Sequence, residues 1–464
     1  MSAGGTAAAA PRVRQPSSAG FVLTMLMLAY MLNFIDRTII GSLAEPIKAE
    51  LHLSDAQVGL MSGLAFALFY CSLGIPIARL AETRNRVTII SAAIAIWSAM
   101  TALCGLAQNF VQLFLARVGV GIGEAGCTPP AHSLIADYFP PERRATAYGI
   151  YSLGIPLGAL FGAVAGGWIA HHFGWRAAFM IVGLPGIILA LVIKLTVREP
   201  VRVRPRTAEA PPPLAAVVAR FWRTKRLRHV AIANSLIAFT GFGLVVFAIP
   251  FLLRGTDLDL FQAASGYGII YGLASFAGTS LGGMIADRVA ARSKLDRLVV
   301  PGLALIAAAP LYIAAIYSSS LVLLAVLVIV ATIARDLHVG PALGAVQNGF
   351  PDPMRARASA VLLLVMNLVG LGLGPLAIGW ISDRFAASSF GAGFERCAAA
   401  GRGHGATIAD AACREASFAG LQFALALGCA LFAVAGALFL LAARQPQADS
   451  PRSDSPRSDS EETD

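Results

Sequence analysis

Seven ionisable residues interrupt stretches of this 464-residue chain that are otherwise apolar. Asp36 and Arg37 lie in "NFIDRTII", Arg117 and Glu124 in "ARVGVGIGEAG", and Arg335, Asp336 and His338 in "ATIARDLHVG". Two chemistries suit such groups. A carboxyl group withdrawn from water keeps its proton more readily, and a nearby guanidinium opposes that. A carboxylate whose arginine moves away in one conformation therefore takes up or gives back H⁺ as the protein changes shape, and this biases a two-state equilibrium. An arginine in a dry site can also hold an anion. The alternative is a set of static ion pairs that lock helices together.

The same stretch contains Gly121, Gly123 and Gly126 as a literal G-x-G-x-x-G, the spacing of a dinucleotide-binding turn. That turn requires a strand before it, a helix opening at it and an acidic residue about 20 positions on. Here "NFVQLFLARV" precedes it and reads as helix, so a nicotinamide cofactor is not expected. Gly121 and Gly123 instead suit close helix approach, with Glu124 projecting from a thin helix face. Gly154, Pro156 and Gly158 in "GIPLG" suit packing or bending in the same way.

What must position these residues is set by composition. The chain is 57% hydrophobic and 13% charged, with mean hydropathy +0.70. Soluble domains carry about 25% charged residues, so a bilayer is the expected solvent. Hydropathy marks twelve spans, near 21–43, 56–79, 87–107, 109–136, 145–170, 176–197, 228–254, 262–287, 297–317, 320–346, 355–383 and 416–443. Each meets the requirement of about 20 residues per crossing. The expected fold is all-α, an integral membrane protein of twelve helices.

The formal net charge is +10. With a cytoplasmic N-terminus, the tails and the loops on that side hold 25 Lys and Arg, and the loops opposite hold 7. This asymmetry predicts both termini in the cytoplasm of a multi-pass cell-membrane protein. The basic excess is thus a topology signal, and no nucleic-acid partner is expected. Residues 1–20 lack an apolar core of their own, so span 1 is expected to serve as the insertion signal in place of a cleaved peptide. No Cys/His spacing resembles a metal site. Cys397 and Cys413 share the loop before span 12, and whether they pair depends on geometry that spacing does not set.

The chain also repeats itself. "FPPERRA" at 139–145 recurs as "FPDPMRA" at 350–356, and "GWIA" at 167–170 recurs as "GWIS" at 379–382. Six spans separate the copies, so the halves share one orientation and are related by a pseudo-two-fold axis along the membrane normal. The expected units are a tail 1–20, a six-helix bundle 21–197, a Pro- and Arg-rich cytoplasmic linker 198–227, a second bundle 228–443 and a tail 444–464. The linker segment "LAAVVARFWRTKRLR" reads either as a surface helix on anionic headgroups or as an ordinary basic loop. Both tails read as disordered.

Depth follows from 1.5 Å of rise per residue. Asp36 lies about 22 Å from the cytoplasmic end of span 1, and Arg117 roughly 12 Å from the outer end of span 4. In a core about 30 Å thick these depths are similar, so an Asp36–Arg117 pair is expected. Glu124 and Arg335 both fall near the midplane, one from each half, facing a central cavity. Adjacent residues on a helix point apart, so a structural role for one of Arg335 and Asp336 is the alternative to a coupling role for both.

These residues resemble the major facilitator superfamily. "GMIADR" at 283–288 looks like its loop motif, with Asp287 and Arg288, and "ARLAETRNR" at 78–86 is a degraded copy with Arg79, Glu82 and Arg86. Within that superfamily "NFIDR", "GVGIGEAG", "GIPLG" and "REP" are most like the spinster family. The resemblance implies alternating access and proton-linked transport, with Asp36 and Glu124 at the coupling and substrate site. Arg37, Arg117, Arg335 and Asp336 would then serve as gating pairs, and Asn33, Glu124, His132, Arg335, His338 and Asn367 would line the cavity. The expected activity is secondary transport of an amphipathic or lipid-like, anionic small molecule by a monomer, with the proton as coupling ion and no other cofactor. A drug or organic-anion exporter and a non-transporting membrane receptor are the other readings. No enzyme activity is expected, because no catalytic cluster is evident.

Overall fold

The computed structural model describes residues 17–200, 213–293, 295–390 and 408–446. Every regular element among them is helical. Eleven helical stretches are long and apolar enough to cross a membrane. One of them, Thr146–Thr196, contains spans 5 and 6 together. Gly174 turns the chain between the two with φ 81°, a left-handed conformation that glycine adopts without steric cost. The chain therefore makes the twelve expected crossings. Each helix keeps its backbone hydrogen bonds internal, as hydrocarbon demands. Large apolar side chains such as Leu195, Leu273 and Val322 face outward, where lipid replaces water.

Helix starts follow local side-chain chemistry. Ser18, Asn85, Asn109 and Ser320 each accept a hydrogen bond from a backbone N–H three residues on, capping spans 1 (Ala19–Leu51), 3 (Arg86–Cys104), 4 and 10. Spans 4 and 10 were each expected to be continuous, and both are broken. Span 4 runs Phe110–Glu124, turns, and resumes as Thr128–Tyr138. Span 10 runs Leu321–Asp336, turns, and resumes as Val339–Asn348. Prolines at 129, 130 and 341 enter the first turn of each second piece, where a missing N–H costs nothing.

Spans 1–6 and 7–12 form the two halves, and the interface between them joins span 2 to span 11, span 5 to span 8 and span 1 to span 7. Where spans 2 (55–83) and 11 (352–390) meet, both adopt π-helical turns, Leu60–Leu64 and Met366–Leu373. A side chain at Gly63 would strike the Leu371 carbonyl at 2.5 Å. In the linker, residues 201–212 lie outside the described residues. The rest forms a surface helix, Leu214–Arg223, which buries Val217 and Phe221. Phe221 packs on Phe350 at 4.9 Å, and Arg220 Nε donates to the Gly349 carbonyl at 2.9 Å. Span 7 begins at Lys225, three residues inside the expected linker. Span 12 (Ile408–Ala443) carries Cys413, which is disulfide-bonded. Cys397 lies outside the described residues, and Cys71, Cys104, Cys127 and Cys429 are free and buried.

Candidate substrate and coupling site

The N-terminal half gathers Asn33, Asp36, Arg37, Arg117 and Glu124 around one point of spans 1 and 4. Arg37 Nε donates to Glu124 Oε2 at 2.8 Å, and Glu124 is fully buried. The guanidinium of Arg37 stacks over the rings of Phe34, Phe66 and Tyr70 at 5.3, 4.8 and 4.8 Å. Cation–π contact of this kind is strongest where water is absent. Phe66 also lies 5.9 Å from the guanidinium of Arg117, so one ring separates the two cations.

The expected Asp36–Arg117 side-chain pair is not formed. Arg117 Nη1 reaches the main-chain carbonyl of Asp36 at 3.3 Å instead. The two residues lie side by side as expected, but the Asp36 carboxylate makes no ion pair with Arg117, and its Oδ1 is buried with no hydrogen-bond partner. Asn33 Oδ1, Arg117 Nε and Glu124 Oε1 are buried and unpartnered as well. An unmade buried hydrogen bond costs about 1–3 kcal/mol, so four in one cluster mark a place where something else binds or where groups exchange partners.

The glycines explain how this cluster closes. A side chain at Gly121 would meet the Phe66 carbonyl at 2.7 Å, and one at Gly123 would meet the Trp97 backbone nitrogen at 2.6 Å. Span 4 thus lies directly on the backbones of spans 2 and 3. Gly154 and Gly158 lie on span 1 in the same way, against Met31 and Phe34, and Pro156 falls just after the turn at Leu153. His132 stands at the more open end of this site, edge-on to Tyr148 and Tyr151 at 5.2 and 5.4 Å. Tyr151 stacks on Tyr30 at 4.4 Å.

The second constellation belongs to the C-terminal half. Arg335 and its neighbour Asp336 pair with each other. Arg335 Nε and Nη2 donate to the two carboxylate oxygens at 2.7 and 2.8 Å. The helix ends at Asp336, so the rule that adjacent side chains diverge no longer governs it. His338 is buried with its Nδ1 2.6 Å from the Arg335 carbonyl, and Tyr271 lies under the Arg335 guanidinium at 5.4 Å. Asn367 caps a carbonyl of its own helix, Leu363, at 2.9 Å. Among the described residues no hydrogen bond or ion pair joins this constellation to the first. Each half therefore balances its own acid and base, in place of one half offering acid and the other base.

A third cluster, which sequence reasoning missed, joins the two halves at the end of span 1. Arg254 of span 7 binds both oxygens of Asp55 at 2.7 and 2.8 Å and Glu45 Oε1 at 2.5 Å. Lys48 also pairs with Asp55. Asp383 of span 11 accepts from the backbone nitrogens of Asp55 and Ala56 at 3.1 and 2.8 Å, capping span 2 from the opposite half. Ser382 completes the set with a 2.8 Å bond to Asp55. These charges sit at span ends, where they looked like ordinary loop residues.

The loop motifs at the opposite end are local. Arg86 pairs with Asp137 at 2.6 Å and Glu199 at 2.7 Å, which places the "REP" acid against the first-half motif. Arg79 is exposed, and the Glu82 side chain lies outside the described residues. Asp287 pairs with Arg297 at 2.5 Å, and Arg288 is exposed. Among the described residues no cluster of three or more His, Cys, Asp or Glu could hold a metal ion.

Residues 26–375 match the family model of the Major Facilitator Superfamily. The chain belongs to that superfamily. It is 36% identical to a bacterial homolog of the human lysosomal transporter Spinster, solved inward-facing and unoccupied, with a TM-score of 0.83 over 92% of this chain and 97% of that one. It is 31% identical to an MFS-type efflux pump of Mycolicibacterium smegmatis over 79% of this chain and 85% of the pump. Human spinster homolog 1 is 25% identical over 80% of this chain and 74% of its own length. The chain is accordingly a spinster-like, multi-pass membrane transporter and not an enzyme.

Proposed function

We propose that this transporter is a secondary active carrier of the cell membrane, moving an amphipathic, lipid-like anion by alternating access and coupling that movement to protons at Asp36 and Glu124. The observation that carries the proposal is the Arg37–Glu124 pair beside the buried Asp36 carboxyl group, whose Oδ1 has no hydrogen-bond partner, all inside membrane spans. Ionisable groups are costly at such depth and persist where they act. The pair joins span 1 to span 4, so a small relative movement breaks it. A carboxylate that loses its arginine then accepts a proton, and a guanidinium that loses its carboxylate accepts an anionic substrate.

The charge asymmetry of the loops supports cytoplasmic termini. In that orientation the Arg254–Asp55–Asp383 cluster closes the outer end. The ion pairs described at the inner end, Arg86 with Asp137 and Glu199 and Asp287 with Arg297, each stay within one half, which suits an inward-open state. The aromatic walls around Arg37 suit a molecule with an apolar body and one charged group. Export of drugs or organic anions is the second reading, favoured by the similarity to the mycobacterial efflux pump.

The test uses purified protein in liposomes carrying a trapped pH indicator, with lysolipids and organic anions offered outside. Substrate-dependent proton movement is expected. Uptake with no proton signal would make the protein a facilitator, and binding without uptake would make it a receptor.

A further inference from the structure

The linker helix Leu214–Arg223 carries more apolar surface than the protein covers. At about 100° per residue, Val217, Phe221, Leu214, Val218, Trp222 and Ala215 follow one another around an unbroken apolar arc of about 160°. The fold buries only Val217 and Phe221, which span roughly 40° of that arc. Leu214, Val218 and Trp222 form a second stripe beside them, and all three are exposed, Trp222 to 60%. A contiguous exposed apolar stripe on a helix that is otherwise packed marks a contact surface. Arg220 and Arg223 stand on the opposite side of the helix.

Position and charge identify what the stripe meets. Only Thr224 separates this helix from span 7, which opens at Lys225. The helix therefore lies at the level where span 7 leaves hydrocarbon, a level that suits the apolar ring and polar N–H of tryptophan. Residues 213–228 hold five basic side chains and no acidic one. Arg226 Nη2 is taken by Asp296 at 2.7 Å, and Arg220 Nε by the Gly349 carbonyl. Arg223 and Lys225 are exposed, and neither makes an ion pair among the described residues. The helix is also held in place before any partner arrives. Phe350 receives both the Phe221 ring at 4.9 Å and the Arg220 guanidinium at 5.6 Å. Gly349 and Phe350 connect span 10 to span 11, so the seat is fixed to the C-terminal half.

We infer that Leu214–Arg223 is a docking surface for anionic phospholipid in the leaflet on the linker's side. Leu214, Val218 and Trp222 lie against the upper parts of the acyl chains, and Arg223 and Lys225 hold the phosphate-bearing headgroup. A neutral lipid would satisfy the stripe but not the charges, and an acidic protein segment the charges but not the stripe. An anionic lipid satisfies both. The Asp36–Glu124 centre takes no part in this contact, which stands whatever the carrier moves.

The test places the full-length protein in phosphatidylcholine nanodiscs that contain equal mole fractions of either chain-brominated phosphatidylcholine or chain-brominated phosphatidylglycerol. Bromine quenches tryptophan fluorescence on contact, and the Trp222 signal is the difference between wild type and Trp222→Phe. Both lipids are expected to quench that signal, phosphatidylglycerol about fivefold more effectively, the enrichment that one basic residue gives near an anionic surface. Arg223→Gln combined with Lys225→Gln should bring the two lipids level while quenching by brominated phosphatidylcholine persists, which shows the helix still seated. High salt should do the same, because it screens exposed charge. Val218→Asp should pass Trp222 from lipid quenching to quenching by acrylamide in the water. In the wild type, quenching by acrylamide and by neither lipid would overturn the inference. Equal quenching by the two lipids in the wild type would overturn it as well, by removing the headgroup contact.

Discussion

Glu124 and Asp336 stand at matching places in the two halves of the molecule, one at the break in span 4 and one at the break in span 10. Each is the last residue of the first piece of a broken span, and each is held by an arginine. The arginines come from different places. Arg37 reaches Glu124 from another helix, whereas Arg335 is the residue next to Asp336. Movement between helices can open the first pair but leaves the second intact. The N-terminal pair is therefore the one expected to open during transport and the C-terminal pair the one expected to persist.

This difference predicts opposite phenotypes. Glu124→Gln should lower transport at least tenfold while the protein folds and elutes as a single species. Asp336→Asn leaves a buried guanidinium without its counter-charge, a loss of about 3–5 kcal/mol. A marked fall in thermal unfolding temperature is expected for Asp336→Asn and a smaller one for Glu124→Gln, whose Arg37 stays stacked on three rings, both read by a thermal-shift assay in detergent.

Arg37 is held by geometry as well as charge. Lysine keeps the charge but loses the planar fork and the stacking on three rings. Arg37→Lys should therefore transport at a tenth of the wild-type rate or less, in the same liposome assay. Near-normal rates would show that a positive charge alone suffices.

The Arg254 cluster is expected to hold the two halves together at one end. Spin labels on the exposed positions His52 and Asp257, one in each half, report that end. Arg254→Ala should broaden their distance distribution towards longer values. An unchanged distribution would assign closure to the packing of spans 2 and 11 alone.

Gly121 and Gly123 set how closely span 4 approaches spans 2 and 3. Gly121→Ala and Gly123→Ala each push a methyl group against backbone, which must shift at a cost of about 1–3 kcal/mol. Both should lower the unfolding temperature, and Gly149→Ala, which meets open space, should not.

Much of this architecture is legible in the sequence, because apolar runs of bilayer length are a property of composition along the chain. The repeat follows from short matching segments such as "GWIA" and "GWIS". The residues of the central cluster stand out for a related reason, since charge is rare in such runs. Partner choice is not legible in this way. Asp36 and Arg117 share a depth, yet Arg117 reaches a carbonyl and Glu124 is taken by Arg37. That outcome depends on side-chain direction across three helices. The Arg335–Asp336 pair depends on a helix ending where hydropathy continues. Lys48, Asp55, Arg254 and Asp383 sit at span ends, where charge is ordinary, and only the approach of the two halves reveals them as one cluster.

The most direct measurement is proton movement into liposomes containing wild-type protein or Asp36→Asn, recorded as candidate lysolipids and organic anions are added outside. The account predicts a substrate-dependent pH change in the wild type that Asp36→Asn abolishes. Equal uptake by both proteins, with no proton signal in either, would contradict it and leave Asp36 as part of a helix lock.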